Sequence, residues 1–128
     1  AVPLPLPGDA VMDTEHQGLF DDMNRLRDDI RAGRSSDEVS GTIDVLIGEV
    51  VRHFQDEESM LAAAGYPGTA KHAALHRELV KGAATLAGRF RASTLGIGVL
   101  FQFLANEVIA RHMVSADQEF IPYLKSRR

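Results

Sequence analysis

Three stretches of this chain repeat one spacing of apolar or histidine positions, 4, 3, 4, 3, 4, which is the period of a helix that buries one stripe over several turns. The first stripe is Met12, His16, Leu19, Met23, Leu26 and Ile30. The second is Leu46, Val50, His53, Glu57, Met60 and Ala64, and the third is His72, His76, Leu79, Ala83, Leu86 and Phe90. A fourth segment places Phe101, Leu104, Val108 and His112 on one face. No segment shows the period-two alternation of a strand. Four amphipathic helices with short connections predict an all-α fold, an antiparallel up-down-up-down four-helix bundle.

Local signals set the expected boundaries. Residues 1–12 contain three prolines and read as an extended N-terminal tail or linker, leaving 13–126 for the bundle. Asp13 stands where an N-cap of the first helix is expected, and Gly33 ends that helix. Ser35 and Ser36 offer a cap to a second helix over about 37–64, with Asp37 and Glu38 in its first turn. Gly65-Tyr66-Pro67-Gly68 is a strong stop, and Thr69 can cap the third helix. Gly88 and the 91–96 stretch close that helix, and the fourth is expected over about 95–124.

The stripes carry an unusual load. All five histidines lie on them, and Glu57 occupies a core position as well. A buried imidazole or carboxylate is costly unless it is partnered. His53 with Glu57, and His72 with His76, are spaced i, i+4 and therefore share a helix face. Antiparallel packing across the 65–68 loop brings these two pairs to similar depth. His112 is followed by Asp117, but five residues of α-helix rotate about 500°, so the two side chains diverge by about 140°. A π-bulge between them would close that angle, and one is predicted there. Taken singly, each of these residues is an ordinary core or surface side chain. Taken together, His16, His53, Glu57, His72, His76, His112 and Asp117 would leave many polar groups unsatisfied in one small core unless they hold metal.

Counting donors narrows the chemistry. If both carboxylates bridge two metals about 3.5 Å apart, together with a solvent oxygen, one metal holds three histidines and the other two. One coordination position then stays open for a small ligand. Imidazole and carboxylate suit iron, although the same donors accept zinc, copper or manganese.

Composition removes other classes of function. The chain of 128 residues has no cysteine, which excludes disulfides, zinc-thiolate sites, iron-sulfur clusters and cysteine nucleophiles. Its net charge of -4 disfavours nucleic acid and anionic membranes as partners. No apolar run approaches the roughly 20 residues of a membrane span, and the first seven residues lack the basic start of a signal peptide. A cytoplasmic protein is expected.

Four motifs in order, Asp13-Thr-Glu-His16, His53-Phe-Gln-Asp-Glu57, His72-Ala-Ala-Leu-His76 and His112-Met-Val-Ser-Ala-Asp117, give the chain a resemblance to the hemerythrins and bacterial hemerythrin-like domains from about residue 10 to 124. The resemblance implies two iron ions, cycling between ferrous and ferric, with a bridging oxo or hydroxo group. It places His72, His76 and His112 on one iron, His16 and His53 on the other, and Glu57 and Asp117 between them. It also implies that O2 binds at the two-histidine iron and takes a proton from the bridging hydroxide. The expected role is oxygen carriage, storage or sensing, with nitric oxide, azide or other small anions as alternative ligands. The runner-up readings are a redox-, nitric-oxide- or peroxide-responsive domain signalling to a partner domain, and a weak di-iron oxidase or peroxidase. Oxygen-activating di-iron bundles use four carboxylates and two Glu-x-x-His pairs. That pattern is absent, so an enzyme is not expected. The chain departs from many bacterial members in having no tryptophan, prolines standing in its place near the start. Leu19, Ile109 and Met113 are candidates for an apolar lining around the open position. Glu49, one turn before His53, is a candidate partner for a ligand imidazole, with exposure on the surface the commoner outcome at such a position.

Overall fold

The computed structural model describes residues 10–116, with side chains described for 14–109 and 112. Three α-helices, α1 (Ala10–Arg31), α2 (Ser36–Ala63) and α3 (Thr69–Arg91), precede a fourth helix in two parts. Its first part, α4 (Ile97–Phe103), is α-helical, and its continuation, π1 (Leu104–Ala116), is a π-helix. α1 packs on α2, α2 on α3, and α3 on both parts of the fourth helix, while π1 closes the ring against α1. Short connections make sequential neighbours antiparallel, which is the expected up-down-up-down bundle. Among the described residues, no helix is long and apolar enough to cross a membrane.

The helix ends follow local chemistry, with three departures from expectation. α2 begins as predicted: the Ser35 hydroxyl accepts from the Glu38 amide at 3.2 Å and donates to the Glu38 carboxylate at 3.1 Å. Gly33 and Gly65, both at φ 68°, turn the chain out of α1 and α2. α1, however, starts at Ala10, so Asp13 lies inside its first turn and is not its cap. Ala10, Val11 and Met12 contain no helix breaker, and the helix extends back through them. Thr69 is the first helical residue of α3 rather than its cap, and its hydroxyl donates to the Tyr66 carbonyl at 2.7 Å. Gly88 does not interrupt α3, which continues to Arg91. The part of the predicted fourth helix beyond Ala116 lies outside the described residues.

The stripes meet in one core. Leu19, Met23 and Leu26 from α1, Leu46 and Val50 from α2, Ala83 from α3, and Leu104 and Val108 from π1 are all buried. Leu61 and Leu100 take the deep positions expected for Met60 and Phe101, which are half-buried. At about 100° per residue, Leu61 stands about 40° round from Glu57 and Leu100 about 40° from Leu104, whereas Met60 and Phe101 stand about 60° from the same residues on the other side. α4 lies close against α3 at Gly82, where an added Cβ would come within 2.7 Å of Phe103 Cζ.

Candidate metal centre

Each helix delivers part of one buried cluster. α1 supplies His16, α2 supplies His53 and Glu57, α3 supplies His72 and His76, and π1 supplies His112, all buried. Glu57 is at its centre and fully inaccessible. Its Oε1 lies 2.6 Å from His72 Nε2, 3.1 Å from His76 Nε2 and 3.8 Å from His112 Nε2. Its Oε2 lies 3.3 Å from His53 Nε2. The imidazoles also face one another, His16 Nε2 with His53 Nε2 at 3.0 Å and His76 Nε2 with His112 Nε2 at 2.8 Å. Two groups result, Glu57 with His72, His76 and His112, and Glu57 with His16 and His53. Within each group the donor atoms lie within 4.8 Å of one another.

The outer nitrogens show how the rings are oriented. His53 Nδ1 donates to Glu15 at 2.9 Å and His76 Nδ1 donates to Glu58 at 2.8 Å. A proton held on Nδ1 leaves the Nε2 lone pair turned inward, the arrangement by which carboxylates orient metal-binding histidines. Phe54 supports the same rings from the side. It stacks on His76 with centroids 3.8 Å apart and planes at 2°, and meets His112 edge-on at 5.1 Å. Burial acts to raise the Glu57 carboxyl, but the imidazoles of His112, His53, His72 and His76 outweigh it and hold the group well below the ordinary carboxylate range. Glu15 is raised instead, by burial and then by its hydrogen bond with Asp56, against the lowering effect of His53.

The donor chemistry fits a metal pair. Nε2 atoms facing in couples at 3.0 and 2.8 Å can share only one proton per couple, whereas a cation accepts every lone pair at once. Two donor groups with a carboxylate in common suit two cations side by side. Of the seven residues expected from sequence, six come together here. Asp117 lies outside the described residues. The π ladder predicted between His112 and Asp117 is present as far as the description reaches, but it opens earlier, at Leu104.

Glu15, Glu58 and Phe54 were not among the expected site residues. Each is a direct sequence neighbour of a predicted ligand, which is the signal that could have found them: a residue one step along a helix is rotated about 100° and can reach the back of an imidazole on the adjacent helix. Replacing Glu15 or Glu58 by glutamine is expected to weaken metal binding by about 10- to 100-fold with the fold retained, read by competition with a chromophoric chelator. Glu49 is exposed and faces Asp22, with no ligand imidazole as its partner. The hydrogen bond with Asp22, then burial, raises its carboxyl to about 7 from 4.5. The folded state therefore holds a proton between those values that the unfolded chain has released, and the group costs stability progressively as pH rises through 4.5 to 7. Glu49→Gln is expected to raise the melting temperature at pH 8 and leave it unchanged at pH 4. An equal shift at both pH values would contradict this assignment.

A groove of about 330 Å³ between α2 and α3, lined by Phe54, Gln55, Glu58, His76 and Arg77 among others, brings solvent to the back of the cluster. Leu19 and Ile109 are buried one turn from His16 and His112, whereas the Met113 side chain lies outside the described residues.

Comparison with known proteins agrees with this geometry. The family model described as hemerythrin HHE cation binding domain matches residues 8–124. A bacteriohemerythrin of Methylococcus capsulatus is 31% identical over 114 residues, covering 89% of this chain and 86% of that protein. A hemerythrin from Sipunculus nudus is 23% identical over 122 residues, covering 93% of this chain and 97% of that protein. The crystal structure of a wild-type hemerythrin superposes with a TM-score of 0.79 at 30% identity, covering 89% of this chain and 87% of that one. Four helices in the expected order, a buried histidine and carboxylate cluster drawn from all of them, and a family match along nearly the whole chain lead to one conclusion: the chain belongs to the hemerythrin HHE cation-binding domain family.

Proposed function

We propose that this is a non-haem di-iron protein that binds O2 reversibly, as an oxygen carrier or store or as an oxygen-sensing domain. In this reading His72, His76 and His112 hold one iron, His16 and His53 hold the other, and Glu57 and Asp117 bridge. The observation that carries it is the position of Glu57, whose carboxylate belongs to both donor groups and turns one oxygen towards each. When bound, an iron pair would supply reversible one-electron chemistry at each metal, which is the chemistry that reversible binding of O2 needs.

The chain's own part is positional. Glu15 and Glu58 hold His53 and His76 in the tautomer that turns Nε2 inward, and Phe54 keeps the His76 ring in plane. Leu19 and Ile109 supply apolar wall one turn from His16 and His112, suited to an uncharged diatomic ligand. Among the described residues, Glu57 is the one carboxylate within either donor group. A donor set so rich in neutral imidazole gives little anionic support to high-valent iron, which favours binding of O2 over oxidation of an organic substrate. The names of the relatives, hemerythrin and bacteriohemerythrin, support the same reading.

The test is optical. Protein loaded with iron and reduced without air should be colourless, develop a visible charge-transfer spectrum with O2, and lose it when O2 is stripped away. An irreversible passage to a ferric spectrum in the first cycle would rule out reversible binding.

A further inference from the structure

π-helices occur mostly as single turns inside α-helices, yet π1 holds 13 residues, from Leu104 to Ala116. Helical geometry shows what this length achieves. Taking Leu104 as reference, an α-helix turns about 100° per residue and a π-helix about 80°. In the π form Val108 and Ile109 lie about 40° to either side of Leu104, and His112 lies about 80° round. All four are buried. An α-helix through the same residues would send Ile109 about 140° from Leu104, and would carry His112 from about 80° on one side to about 80° on the other. The segment holds one residue too many for an α-helix to bury the same face. The two ladders are therefore alternatives, and the π ladder is the one that sets His112 Nε2 2.8 Å from His76 Nε2.

We propose that π1 is a metal-dependent two-state element. Metal held jointly by His76 and His112 keeps the segment π-helical. Loss of the metal lets it relax to the commoner α ladder, which is longer by a few ångströms and turns the helix about its axis. Phe103, packed on Gly82 of α3, holds the start of the segment, so the change in length is delivered towards its C-terminal end. The state of the metal centre is thereby carried along the fourth helix. This rests on the metal reading proposed above.

The chain has no cysteine, so a Gln102→Cys, Ser115→Cys variant accepts two spin labels at defined places. Pulsed dipolar spectroscopy on the zinc-loaded and chelator-stripped protein reads their separation, zinc being magnetically silent and accepting the same donors. Stripping should lengthen one defined distance by a few ångströms, to the value for an α-helix whose backbone rises about 20 Å over these 13 residues. A second variant lacking exposed Asn106 supplies the control. In an α-helix that deletion brings Val108, Ile109 and His112 to within about 60°, 40° and 20° of Leu104, so this variant should bind zinc and show the same distance in both states. An unchanged distance in the undeleted protein after zinc is lost would overturn the proposal. So would a broad distribution without a maximum, which means unfolding instead of an α ladder. Failure to take up zinc at all would sink the metal reading and this one together, and metal analysis of the same samples tells these failures apart.

Discussion

Glu57→Ala is expected to abolish uptake of both metals and to destabilise the metal-free protein by about 3–5 kcal/mol, the range for removing one partner from a buried charged cluster. Among the described residues no other carboxylate belongs to either donor group, so removing Glu57 takes from both groups the anionic donor that they share there. The same substitution leaves the inward nitrogens of His72, His76 and His53 without the oxygens that now lie 2.6, 3.1 and 3.3 Å from them. Glu57→Gln separates the two effects. It keeps the shape and a hydrogen-bonding oxygen but not the charge, so the fold should persist while metal is lost. Iron per chain, together with melting curves with and without zinc, reads both. Two irons per chain in the alanine variant, with an unchanged melting temperature, would show the ligand assignment to be wrong. The pH dependence has a definite sign in the metal-free protein. The folded state favours the Glu57 anion, so its contribution is complete above the ordinary carboxyl value of 4.5 and is lost as pH falls beneath it. Glu57→Gln should lack that acid-side loss.

Phe54→Ala is expected to cost about 3–5 kcal/mol and to speed metal release, a combination that truncation of a core aromatic away from the cluster would not produce. Phe54 is 2% exposed, and its ring lies flat against His76 and edge-on to His112. Truncation therefore opens a cavity beside two imidazoles that approach within 2.8 Å of each other. Phe54→Leu refills most of the volume without the flat face. It should recover most of the stability, while zinc still leaves faster than from the unaltered protein. Equal dissociation rates in the phenylalanine and leucine forms would reduce Phe54 to a packing residue.

The residues differ in how readable they were. The i, i+4 pairs His53 with Glu57 and His72 with His76 could be placed on shared faces because that relation lies within one helix. The rotation that separates His112 from a residue five positions on is equally local, and it called for a wide turn that the structure contains and extends back to Leu104. Glu15, Glu58 and Glu49 could not be ranked in the same way. All three are acids near a predicted ligand in sequence, and what distinguishes them is which side chain of a neighbouring helix they meet. Glu15 meets His53, Glu58 meets His76, and Glu49 meets Asp22.

Periodicity alone determined that the chain makes four helices, the general face that each one buries, and that every histidine lies on that face. These are consequences of a local repeat with a fixed rotation per residue. The tertiary structure alone decided which atoms converge. It set Glu57 between the two imidazole groups, gave His53 and His76 their outer carboxylates, chose Leu61 over Met60 for the core, and drew the turn expected near His112 out into a π ladder of 13 residues. A stripe names the face a residue occupies. The group standing opposite depends on the axial offset and rotation of a second helix, which follow from packing the whole bundle.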